Sequence, residues 1–360
     1  MREKLQLRKV NAMTTQIDDR LLKIFQDGIL VDVDVRCWTG AKMLTPEDLG
    51  LEEKDVAEAY HLGKKMLVPD EVIAAFRKVE SQARVLVERN SHPFPFGSAR
   101  FVPKRKFPEV LAKLKECQTQ YNALIQDLVL NYGKYREAML PIYKEAAETA
   151  WINQTPSQET FGIDRDIEAE KKAFVDQFLA RIAAFYPPVE SIASKFDLSW
   201  SIYNIAVPSL DTSDGNQVAL DETERQAIAE DYQKQVHDKI GSFVEDVVKT
   251  MRSETVEICN HIAQSIVSGK VINSRTIGSL RNFIDRFSGL NFVGDSQIED
   301  ALSKLRTEFL DVHEDLAENE DLKGQLKERL SEIAKVAESI TDVNSVTGQY
   351  RRKISWTPGT

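Results

Sequence analysis

Residues 221–268 have the sequence DETERQAIAEDYQKQVHDKIGSFVEDVVKTMRSETVEICNHIAQSIVS, the longest regular pattern in the chain. The side chains expected to face a core recur mostly every four residues: Ile228, Tyr232, Val236, Ile240, Phe243, Val247, Met251, Thr255, Ile258, Ile262 and Ile266. This spacing predicts one amphipathic helix, about 70 Å long if it is unbroken. The average spacing of about 3.8 residues exceeds the 3.5 of a left-handed coiled coil, so we expect a nearly straight helix or one whose buried face drifts around it.

Further helices are predicted on both sides of this segment. Pro69 opens a helix that should end near Asn90. A second stripe predicts a helix from Pro108 that Pro141 should kink or end. The remaining predicted helices follow Ile167 and cover Ile298–Leu316 and Leu322–Ile340, the last two as a hairpin that turns near Glu320. We therefore predict a mainly α fold, an elongated bundle of long helices with coiled-coil-like hairpins.

Two shorter segments have the alternation of a strand instead. Apolar and polar residues alternate strictly over Ile29–Cys37, and a similar pattern covers Phe196–Val207. We expect these strands to form a small two-stranded ribbon that packs on helices, because such a ribbon alone would be marginally stable. Between them, Thr45 is a helix N-cap, with Pro46 in the first position and Asp48 three residues after the cap, and predicts a short helix.

These patterns divide the chain into four predicted segments. Residues 1–28 form a basic leader and a first helix, in which Met13 is an alternative start. Residues 29–207 form an α-rich domain with the β ribbon, and 208–342 a long helical hairpin region. Residues 343–360 form a flexible tail. Inside the second segment, the polar stretch NQTPSQETFGI, between Trp151 and Asp164, is the best candidate for a linker.

The composition limits the classes of function. The net charge is −10 and the sequence pI is about 5.3, which argue against a general nucleic-acid coat. The three cysteines are widely spaced and indicate neither a disulfide framework nor a metal site. No apolar run is long enough to span a membrane, and the N-terminus has no apolar core of a secretory signal. We therefore expect a cytoplasmic protein.

No motif of a known catalytic mechanism stands out. Asp32 and Asp34 share one face of the first predicted strand, and two carboxylates at this spacing could hold Mg²⁺. A solvent-facing charged strand is the interpretation we favour. The five histidines are scattered, and the chain has no nucleophile, nucleotide or C-x-x-C motif. We expect no catalytic residue, cofactor or metal, and thus a protein that is not an enzyme.

One arm, Phe94–Phe107, interleaves basic and aromatic residues. Its candidate contacts to a nucleic acid or a partner are Phe96, Arg100, Phe101, Lys104, Arg105 and Lys106. Charge and stacking of this kind suit single-stranded nucleic acid. The alternative, which we favour, is that the phenylalanines hold the arm on the core while the basic groups stay in water.

Several short motifs resemble those of an uncharacterised bacterial and phage family. They are WTG (38–40), LTPEDLGL (44–51), LGKKMLVP (62–69), FVP (101–103) and KFDLSWSIYNIAV (195–207). The resemblance covers about Ile29–Val207. It implies a protein of a bacterial cell or a phage-infected host, encoded on phages and mobile elements beside a cobaltochelatase-like AAA+ ATPase of the MoxR type and a von Willebrand A-domain protein.

Long helices that present apolar stripes suit a subunit that binds other proteins. The function we predict is a non-catalytic helical adaptor or recruitment subunit that works with the AAA+ ATPase, with the von Willebrand A-domain protein as another partner. A single-stranded nucleic-acid-associated phage protein that uses the arm, and a structural homo-oligomer, are the alternatives.

Overall fold

The computed structural model describes residues 27–57, 61–95, 97–154, 166–203, 222–269, 274–311 and 319–338. The protein is mostly helical within these ranges, as the periodicity of the sequence predicts. The predicted leader, most of the predicted linker, the predicted tail and the boundaries at 207/208 and 342/343 lie outside the described residues.

The described helices include two of more than forty residues. The bounds of the described α-helices are α1 Asp70–Arg89, α2 Phe107–Gln154, α3 Ile167–Ala183, α4 Val189–Ile192, α5 Glu222–Val267, α6 Ser274–Leu290, α7 Ser296–Leu305 and α8 Glu320–Glu338. The α5 helix confirms the long helix predicted from the opening pattern, and α1 the helix predicted after Pro69. Pro141 lies inside α2 and does not end it.

The strands of the described residues form two sheets. Their bounds are β1 Gly28–Arg36, β2 Ala41–Met43, β3 Lys64–Met66, β4 His92–Pro93, β5 Arg100–Pro103 and β6 Asp197–Tyr203. One sheet has four strands in the order β4-β5-β1-β6, and the other is the antiparallel pair β2-β3. The two predicted strands, β1 and β6, are indeed neighbours. They belong to the larger sheet, however, because the arm supplies β5 and the two residues before the arm supply β4. In the register of β1 and β5, Leu30 lies opposite Phe101.

The chain divides into two compact units, each built from separate stretches. The first unit contains Met1–Asp32, Leu86–Leu111 and Ser201–Thr360, and the second contains Val33–Val85 and Ala112–Trp200. The division falls inside β1, α1, α2 and β6, so these elements contribute residues to both units.

In the first unit, α5 and α8 pack along each other and α6 and α7 complete a helical core. The side chains of this core are mostly leucine, isoleucine, valine and phenylalanine, whose burial provides the main stabilisation. Arg252 of α5 lies within it and donates two hydrogen bonds to the Asp295 carboxylate, at 2.7 and 3.1 Å. A third bond runs from Arg252 to the carbonyl of Val336 in α8, at 3.3 Å. One buried guanidinium therefore joins three distant stretches of this unit.

In the second unit, an apolar cluster lies between α2 and α3, where Tyr143, Phe178 and Ile182 are buried. Earlier in the chain, the turn after β2 is held by Thr45, whose backbone N–H and hydroxyl both donate to the Asp48 carboxylate, at 2.8 and 3.0 Å. The predicted short helix follows as one 3₁₀ turn, Pro46–Leu49. Gly50 then has φ +68°, and a Cβ there would lie 2.1 Å from the carbonyl oxygen of Ala150, so only glycine allows this approach to α2.

Candidate functional site

The aromatic residues of the arm lie in the core of the first unit. Phe101 is fully buried, and its ring centroid lies 5.4 Å from that of Phe243 and 4.7 Å from that of Phe292. Phe94 is also buried and stacks edge-on against Phe243 at 5.2 Å. The buried Phe101 ring is not accessible to a base in this structure, and its prediction as a contact residue stays a prediction. Phe96 lies outside the described residues.

Most basic groups of the arm have partners within the first unit. Arg100 donates to the Ser91 hydroxyl at 2.8 Å. Arg105 donates to the Ser288 carbonyl at 3.3 Å and forms an ion pair with Glu299 at 3.4 Å, although its side chain is 68% exposed. Lys106 pairs with Glu109 at 3.2 Å, and Lys104 is exposed. The contact predictions for these four residues stay predictions.

The paired carboxylates of β1 do not converge on a metal site in the described residues. Asp32 accepts a hydrogen bond from the Ser98 hydroxyl at 2.9 Å, and Asp34 is exposed. Within the described ranges, no group of three or more His, Cys, Asp or Glu side chains is placed to hold a metal ion.

The best candidate for a binding site is an open groove between α2 and α3, with a cavity volume of about 260 Å³. Its lining is largely apolar and aromatic: Gly133, Arg136, Glu137, Leu140, Tyr143, Leu179, Ile182, Ala183 and Tyr186. Leu140 is 51% exposed at its edge, whereas Tyr143 and Ile182 are buried in its floor. We call this feature the α2–α3 groove.

Helix geometry explains how α2 shapes this groove. Gly133 and Leu140 are seven residues apart and therefore lie on the same stripe, two turns from each other. Arg136 and Glu137 lie between these two levels, and the 100° step of the helix places them on opposite sides of the stripe. The guanidinium of Arg136 stacks on the Tyr186 ring, 4.7 Å from its centroid. The groove thus has an apolar floor with a cation on one side and an anion on the other.

A buried ion pair holds the segment next to the groove. Lys65 of β3 donates to the Asp48 carboxylate at 2.5 Å, and Arg181 of α3 binds the same carboxylate at 3.3 Å. The Lys65 ammonium also lies 4.6 Å from the centre of the Phe185 ring, just beyond α3. Burial alone would raise the pKa of Asp48, but hydrogen bonds from Lys65 and Thr45 outweigh it and hold that pKa below its usual value. The carboxylate is therefore charged at neutral pH and ties α3 to the β2-β3 strand pair.

Tyr143 connects this strand pair to the floor of the groove. Its hydroxyl donates to the carbonyl of Met66 in β3. Burial raises the pKa of the Tyr143 hydroxyl, and the neighbouring Tyr186 and Asp48 act in the same direction. The phenol therefore stays neutral and serves as a donor that fixes the ring in the groove.

None of the groove residues was predicted as a site. The sequence signals were a glycine and a charged pair, Arg136 and Glu137, inside an otherwise regular helix. These signals indicate a binding site only once α3 is known to pack beside α2. The periodicity of either helix does not predict that packing.

Comparison with known proteins shows the family. A family model described as "Protein of unknown function (DUF3150)" matches residues 25–342, so the chain belongs to this family. The match extends well beyond Ile29–Val207, where the short motifs lie, and it includes the helices of the first unit. No curated protein and no solved structure matches the chain.

None of the described helices is both long and apolar enough to cross a bilayer.

Proposed function

We propose that the protein is a non-catalytic adaptor that recruits a partner protein through the α2–α3 groove. The observation that carries this proposal is the apolar, open groove with Leu140 exposed at its edge. Pockets for small substrates commonly measure about 300–1,000 Å³ and enclose most of the ligand. A groove of about 260 Å³ is better matched to one or two apolar side chains of another protein.

The partner in this proposal is an AAA+ ATPase of the MoxR type, with a von Willebrand A-domain protein as a further component, on a phage or mobile element. This choice rests on the genomic neighbourhood that the family resemblance implies. Long helices support it, since α2 has 48 residues and α5 has 46. Such helices offer extended surfaces to a second protein.

The test is co-purification from the native host with the tagged full-length protein, with and without ATP. Leu140→Glu places a charge at the edge of the groove, and we expect it to reduce ATPase retention at least about tenfold. Leu130→Glu is the matched control, because Leu130 is on the same helix, is 83% exposed and does not line the groove. Retention of neither the ATPase nor the von Willebrand A-domain protein by the unmodified protein would contradict the proposal.

The two alternative functions give different results in simple measurements. A structural oligomer would appear as a large assembly in light scattering of the purified protein. A nucleic-acid-binding protein would show salt-sensitive binding that depends on the arm.

A further inference from the structure

We infer that the α2–α3 groove receives one amphipathic helix of a partner protein, packed closely against α2 at Gly133 and carrying charges that complement Arg136 and Glu137. This inference rests on the proposed adaptor function and specifies the chemistry of the partner at the same groove. Three features of the second unit carry it: the space around Gly133, the two charged groups that flank the stripe, and the shape of the floor.

Gly133 has no role that the described structure requires. It lies inside a 48-residue helix, where glycine is less stable than alanine. A Cβ at this position would meet no atom within 4 Å, so no close contact inside the described protein demands a glycine. What glycine does provide is access to the helix backbone at the groove, since the distance between two packed helices depends on the size of the side chains at their contact.

The two flanking charges favour a partner with charges of its own. Within the described residues, the Arg136 guanidinium contacts the rings of Tyr132 and Tyr186 and has no carboxylate partner. Glu137, on the other side of the stripe, has no ion pair within the same residues either. Stacking on Tyr186 holds Arg136 beside the groove, which reduces the conformational entropy that it would lose on binding. An acidic residue of the partner fits next to Arg136 and a basic residue next to Glu137.

The floor of the groove indicates a helix as the bound element. The apolar side chains come from two helices, with Leu140 on α2 and Leu179 and Ile182 on α3. A third helix laid between them can insert aliphatic side chains spaced three or four residues apart, with its charged residues on either side of that stripe. The arrangement corresponds to the core and flanking positions of a coiled coil, in which the flanking charges select the partner.

Synthetic peptides of about 21 residues test this inference with the full-length protein, by fluorescence anisotropy at low salt. The mixed peptide has a leucine stripe with glutamates along one side and lysines along the other. The neutral peptide has glutamines in place of both, and the broken peptide has a central proline in the mixed sequence, which disrupts the helix. The peptide can bind in either direction, so one mixed peptide serves both possible orientations of the helix.

We expect the mixed peptide to bind the unmodified protein about threefold or more tightly than the neutral peptide does. The broken peptide should show no measurable binding to the unmodified protein or to the variants described next. In the protein with Arg136→Gln and Glu137→Gln, the advantage of the mixed over the neutral peptide should disappear. Gly133→Leu should fill the groove with the protein's own side chain and weaken both peptides at least about tenfold. Its thermal midpoint should equal or exceed that of the unmodified protein, because leucine favours a helix and the space is open.

Gly324→Leu in α8 is the matched control, since Gly324 is also inside a helix with open space around it but lies in the first unit. It should leave peptide binding unchanged. Unchanged binding in the folded Gly133→Leu protein, equal affinities of the mixed and neutral peptides, or no binding up to about 1 mM would each overturn the inference. Retention of the ATPase in co-purification is a separate result. If the ATPase is retained and Leu140→Glu reduces that retention while the peptides do not bind, the adaptor function stands and the groove binds an element other than this helix.

Discussion

Asp48 and Lys65 show what it takes to bury two charges in this protein. Their side chains are only 2% and 5% exposed, and every bond to the Asp48 carboxylate comes from the second unit. A buried ion pair is worth little compared with a well-packed apolar pair, yet removing one partner leaves the other charge buried without compensation. The loss of stability on replacing one of these residues therefore comes largely from the charge that is left buried on its partner.

We expect Asp48→Asn to lower the free energy of unfolding by about 3–5 kcal/mol, because the Lys65 ammonium then stays buried without a counter-charge. Urea denaturation at pH 7 measures the change. Glu80→Gln is a suitable comparison, since the Arg84–Glu80 pair is partly exposed and should contribute less than about 1 kcal/mol. Adding Lys65→Met to Asp48→Asn should recover part of the loss. A loss below about 1 kcal/mol for Asp48→Asn would show that water reaches the pair.

His92 makes the stability of the first unit sensitive to acid. Burial lowers the pKa of its imidazole to about 4, from an ordinary value near 6.5. Its Nε2 lies 3.1 Å from the Leu290 carbonyl, so the neutral ring donates from that nitrogen. The unfolded chain takes up a proton below about pH 6.5, whereas the folded protein does so only near pH 4. The contribution is therefore complete above pH 6.5 and is lost as the pH falls toward 4, by roughly 3 kcal/mol.

The measurement is a series of urea titrations between pH 7 and pH 4 on the unmodified protein and on His92→Gln. Glutamine keeps a donor for the Leu290 carbonyl but does not titrate, so the acid-induced loss should be smaller by about that amount. Parallel pH profiles for the two proteins would show that His92 is not the titrating group.

At the scale of the element, α2 is the informative case because it passes through a proline. Pro141 has no N–H, so the Glu137 carbonyl one turn before it lacks its helical donor, and the proline ring crowds the same carbonyl. Pro141 is exposed and α2 continues to Gln154. The packing of Tyr143 and Ala147 on α3, beyond the proline, compensates for the local defect.

We expect Pro141→Ala to raise the thermal midpoint and to increase the free energy of unfolding by about 1–2 kcal/mol, since it restores one helical hydrogen bond in an exposed position. Pro108→Ala provides the control, because Pro108 is in the first turn of α2, where a missing N–H costs little. A lower midpoint for Pro141→Ala would indicate that the packing of α2 on α3 depends on the proline itself.

The elements with a clear period were predictable and their assembly was not. The alternation after Ile29 predicted β1, and the spacing after Pro69 predicted α1, because each element has one buried face. The α6 helix is missing from the predictions, although Leu280, Phe283 and Phe287 have helical spacing.

The contacts between residues far apart in the chain were beyond the reach of local patterns. Arg252 and Asp295 are 43 residues apart, so no local spacing relates them. The groove likewise depends on how α3 lies on α2. For the arm, the favoured alternative was that its phenylalanines belong to the core, and the burial of Phe94 and Phe101 agrees with it.

At the scale of the whole molecule, the net negative charge disfavours the binding of a polyanion such as a nucleic acid. The chain carries a net charge of −10, and Arg105 and Lys106 of the arm are engaged with Glu299 and Glu109. Phosphate contacts by basic residues dominate nucleic-acid affinity, and that affinity falls steeply with salt.

We therefore expect a labelled single-stranded 20-nucleotide oligomer to show no saturable binding at about 0.15 M salt, measured by fluorescence anisotropy. A known single-stranded-DNA-binding protein serves as the positive control and should bind the labelled oligomer under the same conditions. Saturable binding that is lost when Lys104 and Arg105 are both changed to Glu would contradict this expectation and favour the nucleic-acid alternative.

The division of the chain into interleaved stretches has a consequence for biosynthesis. The second unit ends at Trp200, so all of its described parts have been translated before α5 begins. In contrast, the arm and β1 cannot complete their core until the helices that pack on Phe101 have been translated. Arg252 likewise cannot form its hydrogen bond to the Val336 carbonyl until α8 has been translated. A ribosome that stalls before α8 therefore holds a chain whose C-terminal apolar stripes are exposed, a species prone to aggregation and to capture by chaperones.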